Sequence, residues 1–293
     1  MIEYIGIDIG GTDIKVGGMD KNEDIAFEYK EPTFKDVSTS DDLYIKIKNL
    51  IKKVPNHQYS KAIGIGVPGS VDPEKRQVLR SKNVALLNGF PLVEKLKKEF
   101  NKPVFLENDA RVAAFSEAIN GSGKGKNIVC YITISTGLGG VIINKKIYHG
   151  SNNLGAYFAR MILNGKNTSD SLISGTALLK MAKERICTDI QNIEEIFELF
   201  KNGNETAVQI IEEFKQNLLV LLLNISSTIN PDIIILGGGV LKSKECFIGE
   251  LINQFKTKAH PLAKITIIDI AKHKEPGIIG ACLLAKMIYS NKI

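Results

Sequence analysis

The sequence predicts an α/β protein built as two related domains, and three observations predict it. Strand-like runs and helix-like stripes alternate along all 293 residues, with no long linker or low-complexity tract between them. The stretch YIGIDIGGTDIKVGGMD (4–20) is echoed by CYITISTGLGGVIINKK (130–146). Both read as an apolar strand, a polar glycine-rich turn and a second apolar strand, the pattern of a β-hairpin whose turn is shaped for something small. The length suits two cores, and 44% apolar residues are ample to fill them.

Composition excludes several classes. The four cysteines (Cys130, Cys187, Cys246, Cys282) are scattered with no C-x-x-C pair, which predicts a reduced cytoplasmic protein without a disulfide framework or a cysteine-built zinc site. The opening MIEYIGIDIGG is already strand-like from its second residue, leaving no room for a signal peptide. The greasiest run, LLVLLLNI (218–225), falls far short of the ~20 residues that span a bilayer and predicts a buried helix instead of a membrane anchor. The net charge is +6, but lysines interleave with acids along the chain instead of clustering with aromatics, so nucleic acid is not an expected partner.

The elements follow in order. The first hairpin ends a strand at Asp8 and turns through Gly10, Gly11 and Thr12. GVPGSVD (66–72) closes another strand with turn formers, Pro68 and Gly69 among them. VFLENDARVAAFSEAI (104–119) opens as a buried strand and closes as a helix, with Glu107, Asn108 and Asp109 at the join. Either Asn108 or Asp109 suits the helix N-cap. After the second hairpin, Val208, Ile211, Phe214, Leu218, Leu222, Ile225 and Ile229 recur at helical spacing, a core-facing stripe, and lead into PDIIILGGGVL (231–241).

A glycine turn alone needs no ligand, since glycine simply permits tight turns. DIGGT, however, gathers a carboxylate (Asp8), uncovered N–H groups (Gly10, Gly11) and a hydroxyl (Thr12) around one point, the set that phosphate and Mg²⁺ require. Ser135, Thr136, Gly137 and Gly139 supply a second hydroxyl-rich cradle at the corresponding place in the echo. Together they predict a nucleotide held across the cleft between two half-similar domains. No G-x-x-x-x-G-K-[ST] run occurs, and neither GVPGSV nor GGGVL completes G-x-G-x-x-G, so neither a P-loop nor a Rossmann oxidoreductase is expected.

With DIGGT, GVPGSVD, ENDA (107–110), STGLGG (135–140), SGTAL (174–178) and ILGGGV (235–240) in order, the chain resembles the ROK family (repressors, open reading frames, kinases) of the actin-like ATPase superfamily over essentially its whole length. Repressor members carry a helix-turn-helix domain before the first hairpin, and none precedes it here, which points to the kinase branch. The resemblance implies two actin-like (ribonuclease H-like) domains, mixed β-sheets flanked by helices around a central cleft. Their expected bounds are 1–108 and 109–278, with a terminal helix (about 279–293) returning to the first.

It also implies roles. Asp109 is the general base that accepts the sugar hydroxyl proton during in-line attack on the γ-phosphate of ATP. Asn108 holds adjacent sugar hydroxyls, with further sugar contacts from Gly69, Ser70 and Asn83, while Glu107 supports the turn. Asp8, Gly10, Gly11, Thr12, Lys15, Ser135, Thr136, Gly137 and Gly139 face the phosphates, Asp8 holding Mg²⁺ through water, and Gly238 and Gly239 lie beside adenosine. Close helix packing is the alternative reading of that last pair. The family commonly forms homodimers, so sugar, ATP and a second copy are the expected partners, with no membrane.

The departure lies in HGSNNLGAYFARMILNGKNTSDSLISGTAL (149–178). Zinc-containing relatives carry G-E-x-G-H here, followed by C-x-C-G-x-x-G-C. Aligned without gaps, Tyr157 stands for the Glu and Arg160 for the His; a small shift puts Asn153 and Ala156 there instead. The segment contains no cysteine and only His149, so no zinc is expected. Asp170, four before Ser174, is the acidic sugar ligand retained. Either Tyr157 and Arg160 or nearby residues take over contacts at the anomeric end, or they are plain structural replacements. The zinc-free pattern and HGSNN resemble bacterial N-acetylmannosamine kinases, which predicts ATP-dependent 6-phosphorylation of that sugar in sialic-acid catabolism. Glucose, N-acetylglucosamine, fructose and allose stay open as acceptors, as does a non-catalytic ATP- or sugar-binding sensor.

Overall fold

A computed structural model describes residues 1–72, 76–144 and 146–290. Lys145 of the second hairpin and residues 291–293 of the expected terminal helix lie outside the described residues. The strands in chain order are β1 (Ile2–Ile9), β2 (Asp13–Asp20), β3 (Ile25–Pro32), β4 (Ala62–Val67), β5 (Ser70–Asp72), β6 (Gln77–Arg80), β7 (Val104–Asn108), β8 (Ile128–Ile134), β9 (Leu138–Asn144), β10 (Lys146–Ile147), β11 (Ile233–Gly237) and β12 (Ile267–Ile270). The α-helices are α1 (Ser40–Lys53), α2 (Leu92–Phe100), α3 (Asp109–Ile119), α4 (Ser169–Ile173), α5 (Gly175–Arg185), α6 (Ile193–Lys201), α7 (Glu205–Thr228), α8 (Ile248–Lys258) and α9 (Pro276–Tyr289).

The chain forms two compact units, one of residues Met1–Lys124, Lys145–Ile147 and Lys272–Ile293, the other of Gly125–Asn144 and Tyr148–Ala271. The division departs from the expected boundary at residue 108. Helix α3 belongs with the first unit because it packs against α9, where Gly280 lies so close to Val112 that a Cβ would strike the Val112 carbonyl.

In the first unit the sheet order is β3-β2-β1-β4-β7. The first three strands are antiparallel, while β4 and β7 run parallel to β1, a mixed α/β sheet. Central β1 buries Ile5, Ile7 and Ile9 completely, whereas edge strand β3 (IAFEYKEP) has no buried residue, as its polar sequence requires. Gly6 pairs with Gly64 across β1 and β4, and a Cβ on either would run into α9, so the two glycines let that apolar helix lie directly on the sheet.

In the second unit β9, β8, β11 and β12 are neighbours in that order. β8 and β9 form the antiparallel hairpin, and β11, buried at every residue, runs parallel to both β8 and β12. The expected stripe on α7 is its core face, with Ile211, Phe214, Leu218, Leu222 and Ile225 buried; Ile210, Leu219 and Leu221 widen it beyond one stripe. The greasy run at 218–225 is not buried throughout, since Val220 is 38% exposed. No helix among the described residues is long and apolar enough to cross a membrane.

Candidate active site

In the first unit, β1 ends by delivering Asp8 to the edge of a tight turn. The Gly10 N–H donates to the Asp13 carbonyl at 2.9 Å and closes it. Thr33, wholly buried, braces the turn from outside: its hydroxyl donates to the Gly10 carbonyl at 2.6 Å and its N–H to the Thr12 carbonyl at 2.8 Å. Gly11 faces Asn83, whose Cβ would lie 3.2 Å from any Cβ placed there. Asn83, expected at the sugar, stands against Gly11 of the β1–β2 turn.

Asp8 lies opposite Lys15 in the β1–β2 register, and Lys15 is ion-paired with Glu275, the residue that precedes α9. Gly277, in the first turn of α9, is so close that a Cβ would strike the Asp8 carboxylate. The Asp8 carboxyl is raised to about 6, first by burial and then by the charges of Asp109 and Glu275, against the Lys15 ammonium, which lowers it.

The three polar residues between β7 and α3 divide the labour. Asn108 is the N-cap: its Oδ1 accepts the Arg111 N–H at 3.2 Å. Its Nδ2 donates to the Gly69 carbonyl and to Asp109 Oδ1, both at 3.0 Å, fastening the Gly69–Ser70 loop to the start of α3. Gly69 holds a φ of 110°, a backbone that side-chain-bearing residues rarely adopt. Asp109 is the first helical residue; Oδ1 also accepts the Ala110 N–H at 2.8 Å. Burial raises the Asp109 carboxyl above its ordinary range, against these hydrogen bonds, which lower it. Glu107 is buried, accepts the Asn108 N–H at 2.7 Å and faces the Arg111 guanidinium at 3.4 Å, a support for the turn.

In the second unit, the β8–β9 turn is held from two sides. The Ser135 N–H donates to the Gly137 carbonyl at 2.9 Å, and the Ser135 and Thr136 carbonyls accept the Gly175 and Thr176 N–H groups at 2.7 and 3.2 Å. Asp170 Oδ1 accepts the Leu138 N–H at 2.7 Å. Ser135, Thr136 and Gly137 themselves are exposed, and Gly139 is half-buried. Gly238 has a φ of 96° and fits only without a Cβ against the Ile134 backbone, which brings Gly238 and Gly239 next to the same turn. The close contact at Gly238 is thus with strand β8, whereas the alternative offered above for this pair is close helix packing.

Tyr157 is 56% exposed and Arg160 is exposed, while Phe158 between them is buried against Gly140. The short 3₁₀ turn Phe158–Arg160 is pinned by the Ser169 hydroxyl, which donates to the Phe158 carbonyl. Asn153 and Ala156 both have positive φ, 59° and 60°, and for alanine that conformation is uncommon.

Thr33, Glu275 and Gly277 were not singled out by sequence. Only Glu275 carried a signal there, a carboxylate directly before the Pro276–Gly277 start of a helix.

The ROK family profile matches residues 4–288. The N-acetyl-D-glucosamine kinase of Escherichia coli O9:H4 is 27% identical over 96% of this chain and 98% of its own. The crystal structure of a ROK family glucokinase from Streptomyces griseus in complex with glucose and AMPPNP superposes with a TM-score of 0.77 at 27% identity, covering 97% of this chain and 99% of that one. A Listeria monocytogenes protein described as a candidate N-acetylmannosamine kinase superposes with a TM-score of 0.83 at 25% identity, covering 99% of both chains. The chain belongs to the ROK family, and its fold is the actin-like α/β fold of that family's sugar kinases.

Proposed function

We propose that this ROK family sugar kinase transfers the γ-phosphoryl group of ATP to the 6-hydroxyl of N-acetylmannosamine. One observation carries the chemistry: Asp109 is a half-buried carboxylate with a raised pKa, at the start of a helix and tied through Asn108 to the Gly69–Ser70 loop. A base in that state accepts a hydroxyl proton more readily than an exposed aspartate. Asp109 takes the proton as the sugar oxygen attacks the γ-phosphorus, the bond to the β-phosphate oxygen breaks, and ADP departs. Asn108, Gly69, Ser70 and Asn83 orient the sugar.

The β1–β2 turn, with Gly10, Gly11, Thr12 and Lys15, and the β8–β9 turn, with Ser135, Thr136, Gly137 and Gly139, offer N–H, hydroxyl and ammonium donors to the phosphates. Adenosine is assigned to the open backbone at Gly238 and Gly239. Among the described residues no group of three or more His, Cys, Asp or Glu could hold a metal. Asp8 nonetheless fits a hydrated Mg²⁺ carried by the nucleotide, which asks for one carboxylate plus water and phosphate oxygens. When bound, Mg²⁺ neutralises charge on the β- and γ-phosphates.

The choice of sugar rests on the zinc-free 149–178 segment, on HGSNN and on the likeness to the Listeria protein. Tyr157 and Arg160 are assigned to the sugar side on this reading, and Asp170 both to the sugar and, through the Leu138 N–H, to the β8–β9 turn, with no structural zinc. The enzyme is taken to work in the cytoplasm, where ATP and the sugar meet, as a homodimer.

Sugar-dependent ADP release, run over N-acetylmannosamine, N-acetylglucosamine, glucose, fructose and allose beside Asp109→Asn, tests the reading. Turnover confined to N-acetylmannosamine and lost in the variant is the expected result. A different preferred sugar overturns the substrate, and ATP binding with no turnover on any sugar favours a sensor.

A further inference from the structure

Glu117 lies eight residues beyond Asp109 on α3, about 12 Å along the helix axis, and it is wholly buried. Its carboxylate joins two segments far apart in sequence. Oε1 accepts the Lys272 N–H at 2.8 Å and the His273 N–H at 2.7 Å, and Oε2 accepts the Ser122 N–H at 3.0 Å. The neighbouring His273 Nε2 meets Asn120 Oδ1 at 2.9 Å, a second tie between the same strands of chain. A buried carboxylate is tolerable only with such charge-assisted partners.

What it fastens matters more than its own satisfaction. Two residues after His273 comes Glu275, which pairs with Lys15, and then Gly277, which is packed on the Asp8 carboxylate. From this anchor α9 runs on to Gly280, against the Val112 carbonyl on α3. So the end of α3 that bears Glu117 sets where α9 begins, and Val112, three residues after Asp109, meets Gly280 on α9, three residues after the Gly277 that touches the Asp8 carboxylate.

We propose that Glu117 is a positioning residue for phosphoryl transfer: it holds α3 and the start of α9 in one register and so fixes Asp109 relative to Asp8. The inference rests on the kinase reading above. An amide in its place has one acceptor oxygen in place of two, so it can retain the 272–273 segment or Ser122 but not both.

Glu117→Gln in the full chain, measured beside the wild type, Asp109→Asn and the double variant, is the test. In hydrogen exchange, amides in the first turn of α9 (276–279) and at the start of α3 (109–112) should exchange faster than in the wild type. In kinetics, kcat should fall about tenfold or more while the KM values for ATP and sugar stay within about twofold. The double variant should be no slower than Asp109→Asn alone, because the effect passes through that residue. If Glu117→Gln does not fold, Glu117→Asp, which keeps the charge and shortens the reach, must show the same split. Faster exchange confined to 121–123 and 272–273, an unchanged kcat, or losses that add in the double variant would each overturn the proposal. A wild type that phosphorylates no sugar would sink the kinase reading, and the exchange pattern would still decide whether Glu117 governs both helix starts.

Discussion

Asp109 bears on Asp8: next to burial, its negative charge is the largest influence holding the Asp8 carboxyl at about 6 against an ordinary 3.8. An acid whose folded pKa is raised binds its proton more tightly in the native state. The contribution of Asp8 to the stability of the unliganded fold therefore falls as pH rises from about 4 to about 6 and is level above that. The ionised form costs no more than about 3 kcal/mol. Asp8→Asn, of the same shape and uncharged, should accordingly melt several degrees higher than the wild type at pH 7.5 and no higher at pH 4, while losing phosphoryl transfer. A lower melting temperature for the variant at pH 7.5 would show that the ionised carboxylate is stabilised in the fold.

The same shift sets an acid limb on activity. On the Mg²⁺ role proposed for Asp8, its protonated form no longer presents a charge to the cation, so kcat/KM for ATP should decline as pH drops below about 6. Asp109→Asn should lower kcat by about 10²–10⁴-fold and leave ATP affinity nearly unchanged, read by steady-state kinetics and by nucleotide titration. Equal losses in both would remove Asp109 from the chemical step.

Thr33 braces the β1–β2 turn through the Gly10 and Thr12 carbonyls. Thr33→Val preserves volume but leaves the Gly10 carbonyl without its 2.6 Å donor, which should lower stability by about 1–2 kcal/mol and raise the KM for ATP several-fold. Thr33→Ser should restore both. A serine variant as impaired as the valine one would point to lost packing instead.

Asp170 discriminates two roles. Its carboxylate accepts the Leu138 N–H of the β8–β9 turn, so Asp170→Asn should raise the KM for ATP more than the KM for sugar. The reverse order would restore Asp170 to the sugar side alone.

Much of this was readable before any coordinates, and the limit has a physical cause. The β1–β2 and β8–β9 turns are local, so their glycines and hydroxyls announce themselves within a few residues. Asn108 and Asp109 are legible as a pair, though only the structure separates the cap from the half-buried acid. Thr33 and Glu275 escaped because their partners, Gly10 and Lys15, stand 23 and 260 positions away, and no periodicity records such distances. Placing α3 in the second domain failed for the same reason, since the contact that claims it is Gly280 on Val112. In the 149–178 segment, ungapped alignment marked Tyr157 and Arg160, yet Phe158 is the residue turned inward.

Helix α9 closes the first unit from the far end of the chain, lying on Gly6 and Gly64. A ribosome therefore finishes β1, β2 and β4 long before it makes the helix that covers them, while the 125–271 stretch interrupts only for Lys145–Ile147 and can gather its own core first. During that interval the apolar face of the first sheet lies open to solvent and to other nascent chains. Chaperone demand and sensitivity to premature stop codons should both concentrate on the codons of α9, which encode little of the chemistry and nearly all of that cover.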